Sequence, residues 1–388
     1  MAKIIRKFRP YLMSDVRRAS KKELFTVVST FGGGGGSSLG YSLGGGKVLL
    51  NIDFVSEAIA TYKKNFPNTA TDCCDIRKIT SAGGAKKVLK YFAQFGVQKG
   101  ELDILDGSPP CATFSRASLN ASDKTEKRRV SYSDVVTSRI GTLIHDFVYL
   151  VNVLQPKVFV FENVTDIARS PIFSDALERL RKHDWVIGYK KMCSSAYGVA
   201  QRRTRLITIG LRPDIATAVE IDADNISSLY PEPSNYEPTL RECLKGFQQD
   251  EQERKNLILH LRRSSDYEIV RGIPKNPIKR MRISDVKEGW TSDFNADRLS
   301  WDSPSTTITQ TGSQTGRGGP FHPSEDRLLT IPELKRIMAV PDDFILTGTR
   351  NQRAERLGRK VCPPLYQHLS QSLFSNVLSK LLASNPDL

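Results

Sequence analysis

Nine of the chain's 27 glycines fall between Gly32 and Gly46, and this cluster constrains the fold more than any other feature. It follows a β-branched run at residues 25–30 and precedes another at 48–53, both of which read as strands. A glycine-rich turn between strands lets the backbone bend sharply and approach a ligand closely. Downstream the alternation continues: a helix at 58–65, a strand at 102–105, a helix at 138–154, a buried strand at 157–161, a helix at 173–182 and a strand at 206–211. That pattern predicts an α/β fold on a parallel sheet. It decays between about Ala216 and Arg298, where Pro231, Pro233, Pro238, Pro274 and Pro277 interrupt it. A smaller, irregular domain is expected there, before helical periodicity returns at 329–338 and 365–382.

At 388 residues, 39% hydrophobic and 26% charged, the chain can bury two or three cores and is neither disordered nor fibrous. No apolar run approaches the roughly 18 residues of a membrane helix. The basic N-terminus lacks the apolar block of a secretory signal. The six cysteines contain no CxxC pair, so no zinc ribbon, structural metal or disulfide framework is expected, and a reducing cytoplasm fits. Lys plus Arg number 57 against 42 Asp plus Glu, a net charge of +15. Residues 1–24 hold eight basic and two acidic side chains, and 254–282 hold nine and two. Two separated basic segments point to a groove for a polyanion, although solvated helix faces give similar counts.

Spacing narrows the ligand of the glycine loop. Gly33 and Gly35 would need glycine at Ser38 to satisfy the dinucleotide pattern GxGxxG, and no Lys-Ser/Thr follows as in a P-loop. Asp53, ending the next strand, is placed to accept hydrogen bonds from a ribose diol. A nucleoside without a pyrophosphate, such as S-adenosylmethionine, remains.

A second loop leaves strand 102–105 as Asp106-Gly107-Ser108-Pro109-Pro110-Cys111. In open α/β sheets ligands bind beyond the carboxyl ends of strands, where Cys111 would sit on a proline-stiffened mount. Cys73, Cys74, Cys193 and Cys243 read as packing residues. Four strings then occur in order: Phe31-x-Gly33-x-Gly35-Gly36, Pro109-Pro110-Cys111, Glu162-Asn163-Val164 and Gln201-x-Arg203-x-Arg205. Late in the chain stand Arg327 to Arg336, Pro341-Asp342-Asp343-Phe344, and Gly358-Arg359-Lys360-Val361-Cys362-Pro363-Pro364. Together they make the chain resemble the cytosine-5 DNA methyltransferases of bacterial restriction-modification systems, over essentially residues 25–382.

The resemblance implies a Rossmann-like, S-adenosylmethionine-dependent methyltransferase sheet, mixed but mainly parallel and flanked by helices, with a smaller, irregular target-recognition domain. It divides the chain into a basic extension (1–23), a catalytic and cofactor domain (24–215 plus 350–388) and a recognition domain (216–349). Residues 364–382 would then fold back beside the glycine loop. It implies Cys111 as nucleophile at carbon 6 of a flipped cytosine and Glu162 as the acid at the ring nitrogen. Arg203 and Arg205 would hold the base and a flanking phosphate. Period two puts both on one face of the strand and Arg202 on the solvent side. For the cofactor it implies Phe31, Gly33, Gly35, Gly36, Asp53, Asp75, Ile76, Pro109, Leu143, Arg359 and Val361. Double-stranded DNA is the implied partner; 254–282 and the loop with Lys124, Lys127, Arg128 and Arg129 are candidate contributors to its basic cleft, with solvated charge the alternative for any single residue. A monomer is expected, cytoplasmic, bacterial or phage-encoded, alongside a restriction endonuclease that acts independently. Ser29 stands where the family carries an acid, Arg359 where it carries asparagine, and Asp53 where it carries glutamate. Two alternatives stay open: a tRNA cytosine methyltransferase of the same fold, and an inactive DNA-binding relative. The long segment 216–298 argues against the first, and the presence of Cys111, Glu162, Arg203 and Arg205 against the second.

Overall fold

The structure is a computed structural model and describes residues 4–81, 83–110, 142–264, 266–290, 296–310 and 319–384. Seven strands make the main sheet: β1 (Thr26–Thr30), β2 (Lys47–Asp53), β3 (Ala70–Cys73), β4 (Ile104–Gly107), β5 (Val158–Asn163), β6 (Val186–Cys193) and β7 (Thr204–Leu211). Their order is β3-β2-β1-β4-β5-β7-β6. The sheet is mixed and mainly parallel, as expected: β1 to β5 pair in parallel, and β7 runs antiparallel to both β5 and β6. β5 is buried at every position, as its apolar run requires of a central strand covered on both faces. The edge strands β3 and β6 were not expected from sequence. β6 carries exposed Tyr189, Lys190 and Lys191 in succession, which hides its alternation.

Two cores flank the sheet. On one face Val28, Leu50, Leu105, Phe159 and Phe161 pack against helices Ala85–Ala93, Leu143–Leu154 and Pro171–Arg181. On the other Val27, Ile104, Val158, Val160 and Ile207 meet Leu365, Leu369 and Leu373 of helix Pro363–Leu373. That helix also packs along Gly36–Leu43, the helix that follows the glycine loop. A C-terminal segment therefore closes the first βα unit.

The basic N-terminal segment lies on the body of the protein. Asn235 donates its backbone N–H to the Ile4 carbonyl, Arg6 stacks over Tyr197, and Met13 and Val16 of helix Met13–Ser20 are buried with Leu39. The region expected to be irregular has its own small core of Leu257, Leu261, Val270, Ile273, Ile283, Phe321 and Leu328. A three-stranded sheet of two-residue strands, β8 (Met281–Arg282), β9 (Asp297–Arg298) and β10 (Pro320–Phe321), adjoins it. At its centre Arg298, wholly buried, donates to the carbonyls of Ile273, His322, Glu325 and Val270 and to Asp326. Ile331, Leu334, Ile337 and Phe344 pack with Leu39 and Tyr62 instead. Among the described residues, no helix is long and apolar enough to cross a membrane.

Candidate active site

The glycine loop is built on left-handed backbone. Gly33 has φ +52° and Gly35 +84°, and Phe31 at +55° adopts a conformation costly for a bulky residue. Asp53 holds the loop: its carboxylate accepts from the Gly33 N–H at 2.8 Å and the Val55 N–H at 2.9 Å. Burial pushes the Asp53 carboxyl above its usual range, opposed by those two bonds and by Arg356 and Arg359. A Cβ on Gly36 would stand 2.5 Å from Lys360 Cγ and 2.8 Å from the Val361 carbonyl oxygen. Only glycine lets the C-terminal segment seat there. Lys360 is buried behind the loop, donating to the Gly34 carbonyl at 2.5 Å and lying 4.5 Å from the Phe344 ring centroid. Burial, with Arg356 nearby, lowers its ammonium to about 7.

A cleft opens beyond the carboxyl ends of β1, β2 and β3. Phe31, Asp53, Asp75, Ile76 and Leu143, five residues expected at a cofactor, line it together with Ile52, Phe54, Cys74 and Arg77. Asp75 caps helix Ile76–Thr80 through the Arg77 N–H, and the Arg77 guanidinium holds its carboxyl below the usual range. Gly33 adjoins the cleft through its bond to Asp53. Gly36 and Val361 form the seat behind the loop, and Pro109 lies toward β5. Arg359 pairs with Glu355 at 2.9 Å, with Asp53 among its charged neighbours. The lining suits a nucleoside: apolar walls for a flat base and two carboxylates for diol or amino groups.

The second loop begins where β4 and β5 lie side by side, with Gly107 opposite Phe161. Asn163 donates from its amide to the Pro109 carbonyl at 3.0 Å, fixing the start of this loop to the end of β5. Cys111 lies outside the described residues, as do Lys124, Lys127, Arg128 and Arg129. Glu162 is 7% exposed, and Arg205 Nε reaches its Oε1 at 3.1 Å.

The expected arginine pair divides. Arg205 faces Glu162, whereas Arg203 directs its two terminal nitrogens to the carbonyls of Ile308 and Gly358, each at 3.0 Å. Burial lowers the Arg203 guanidinium to about 9, with Arg205 pushing the same way. Gln201 accepts from the Ile308 N–H at 3.0 Å, so Gln201 and Arg203 both brace residue 308 against the sheet. Arg202 is solvent-side and paired with Glu237.

Sequence reading assigned no part to Asn51, Asp106, Asn163 or Lys360. For Asp106 a signal existed: an acid interrupting an apolar strand just before its end. Asn51 carried none. Its side chain is wholly buried with neither amide atom bonded among the described residues, directly under Gly32.

The family model described as C-5 cytosine-specific DNA methylase matches residues 25–375. The type II methyltransferase M.Eco47II of Escherichia coli is 27% identical over 356 residues, covering 87% of this chain and 76% of its own. M1.HphI of Haemophilus parahaemolyticus is 26% identical, covering 90% and 86%. Among solved structures, a candidate DNA modification methyltransferase encoded within an E. coli prophage superposes with a TM-score of 0.64 at 21% identity, covering 92% of this chain and 99% of that one.

Proposed function

The chain belongs to the C-5 cytosine-specific DNA methylase family, and on that premise we propose that Cys111, Glu162 and Arg205 carry methyl transfer to a cytosine in duplex DNA. The activity is that of a DNA (cytosine-5) methyltransferase, which acts on a base flipped from the duplex through a covalent cysteine adduct. S-adenosylmethionine supplies an electrophilic methyl group on a sulfonium. The observation that supports the site assignment is the cleft itself: Phe31, Asp53, Asp75, Ile76 and Leu143 come from four separate βα junctions and line one space beside the root of the Pro109–Cys111 loop.

The protein's own part is to activate and orient. A thiolate at Cys111 adds to carbon 6, and the displaced electron pair makes carbon 5 nucleophilic. Negative charge building on the ring is met by a proton that the Glu162 carboxyl gives to the ring nitrogen, with Arg205 orienting that side chain at the end of β5. Carbon 5 takes the methyl group as the donor's carbon–sulfur bond breaks to leave a neutral thioether; water then removes the carbon-5 proton, and that electron pair re-forms the ring double bond and expels the Cys111 thiolate from carbon 6. Arg203 acts from behind, fixing segments 308 and 358. The type II relatives support a protective role in a restriction-modification system; a cytoplasmic monomer, with any partner nuclease acting independently, completes the proposal.

A duplex bearing 5-fluorocytosine tests the reading, because fluorine blocks the final elimination and leaves enzyme linked to DNA. Mass spectrometry should find the adduct on Cys111, and Cys111→Ser should form none while still binding donor and DNA. An adduct on Cys73, Cys193 or Cys362, or trapping only on tRNA, overturns it.

A further inference from the structure

Beneath the glycine loop one row of side chains crosses three central strands. Ser29 on β1 stands opposite Asn51 on β2 and opposite Asp106 on β4, so the three share a face of the sheet. All are at most 1% exposed. Asp106 accepts from Ser29 Oγ at 3.0 Å and from the Tyr41 hydroxyl at 3.2 Å, and Ser37 bonds it as well. Ser37 and Tyr41 ride on helix Gly36–Leu43, the direct continuation of the loop. The backbone carbonyl of Asp106 accepts from Thr30 Oγ1 at 2.9 Å, and three residues further on Pro109 is held by Asn163. One buried carboxylate thus ties together the end of β1, the first turns after the glycine loop and the strand that feeds Cys111.

No cation among the described residues is one of the groups acting on it. The titratable side chains facing Asp106 among the described residues are Tyr41, Tyr62 on helix Ser56–Asn65, Tyr366 on helix Pro363–Leu373, and Glu162 on β5. A carboxylate buried without a counter-charge is expensive, and space-filling alone would be better served by an apolar residue. Its neighbours explain why an acid sits there. A Cβ on Gly32 would stand 1.9 Å from Asn51 Oδ1 and 2.7 Å from Ser29 Oγ, so these two side chains converge on one point under the loop. An acid at position 29 would find the unbonded Asn51 amide as its donor. Here position 29 is serine, and the carboxylate stands one strand across.

We propose that Asp106 is the positioning residue of the glycine loop in this chain, supplying from β4 the acid missing at position 29, so that acids at the two positions are alternatives. The inference rests on the methyl-donor reading of the cleft. Burial pushes the Asp106 carboxyl to about 7, opposed by the Ser37, Ser29 and Tyr41 hydroxyls and reinforced by Glu162. The ionised form accepts all three hydroxyls, so donor affinity falls as pH drops through neutrality.

The test is calorimetry of S-adenosylmethionine on the full chain, with thermal unfolding of each variant. Asp106→Ser leaves three hydroxyls without their acceptor, and Ser29→Asp sets two carboxylates side by side; each should weaken binding by about tenfold or more. The double variant Ser29→Asp/Asp106→Ser should return to within about threefold of wild type, a non-additivity that independent defects cannot give. Asp106→Asn, which keeps size and most of the packing, should fold and lose the rise in affinity between pH 6 and pH 8. A double variant no better than the worse single, or Asp106→Asn with wild-type affinity and pH profile, overturns the proposal. Wild type that binds no donor at all would instead overturn the reading on which it rests.

Discussion

Arg203 and Arg205 are two residues apart and make different contacts, whose effects mutation should separate. Arg203→Ala leaves the Ile308 and Gly358 carbonyls without their buried donor. That should cost about 2–4 kcal/mol of stability, read as a lower urea midpoint. Arg205→Ala removes the partner of Glu162 and should lower kcat by about tenfold or more with a smaller loss of stability and unchanged donor affinity. Equal stability losses with equal kcat would refute this division. His322 gives a pH prediction. Burial lowers its imidazole to about 4, although Glu333 pulls the other way. In the unfolded chain it titrates near 6.5, so its contribution is complete above that pH and is lost as pH falls from about 6.5 to about 4. The loss should be at most about 3 kcal/mol. His322→Gln should flatten the urea midpoint across that window, and an unchanged slope would show that other groups govern acid sensitivity.

At the scale of elements, the packing of helix Gly36–Leu43 on helix Pro363–Leu373 sets the loop's back wall. A Cβ on Gly40 would stand 2.3 Å from Tyr366 Cβ and 2.6 Å from the Pro363 carbonyl oxygen, atoms that cannot swing away. Gly40→Ala should therefore destabilise by about 1–3 kcal/mol and weaken donor binding, because Val361 lies on the same helix-facing seat. A variant with wild-type unfolding and affinity would mean that the helices slide freely. Strands β1, β2 and β5 were legible because each is a dense apolar or β-branched run bounded by turns. β3 has four residues and β6 shows successive exposed polar positions, so neither displays a period. The cleft was legible through motifs at strand ends. The row Asn51–Ser29–Asp106 was not, since only sheet register brings Ser29 to a partner 77 positions away. The division of Arg203 from Arg205 was also hidden. Period two applies within a strand, and β7 begins at Thr204, leaving Arg203 outside it.

For the whole molecule, a net charge of +15 matters only where cations are free to meet phosphate. Within 254–282 the structure sorts them. Arg254, Arg271, Lys275, Arg280 and Arg282 pair with Glu251 or Glu325, Glu268, Asp326, and Asp297. Lys255, Arg262, Arg263 and Lys279 are exposed and enter no ion pair among the described residues. Free cations release counterions on binding DNA, whereas paired ones must first give up a carboxylate. Changing these four to glutamine should weaken duplex binding and reduce the slope of log K against log salt by about 0.9 for each phosphate no longer neutralised. Changing Arg280 and Arg282 should alter the slope less and stability more, since Asp297 would be deprived of both partners. Phosphate contacts position a protein without reading sequence. Bisulfite sequencing of DNA from cells expressing the quadruple variant should therefore show fewer methylated sites of the same sequence. A salt slope equal to wild type, measured by fluorescence anisotropy between about 50 and 200 mM salt, would place the DNA groove elsewhere on the molecule.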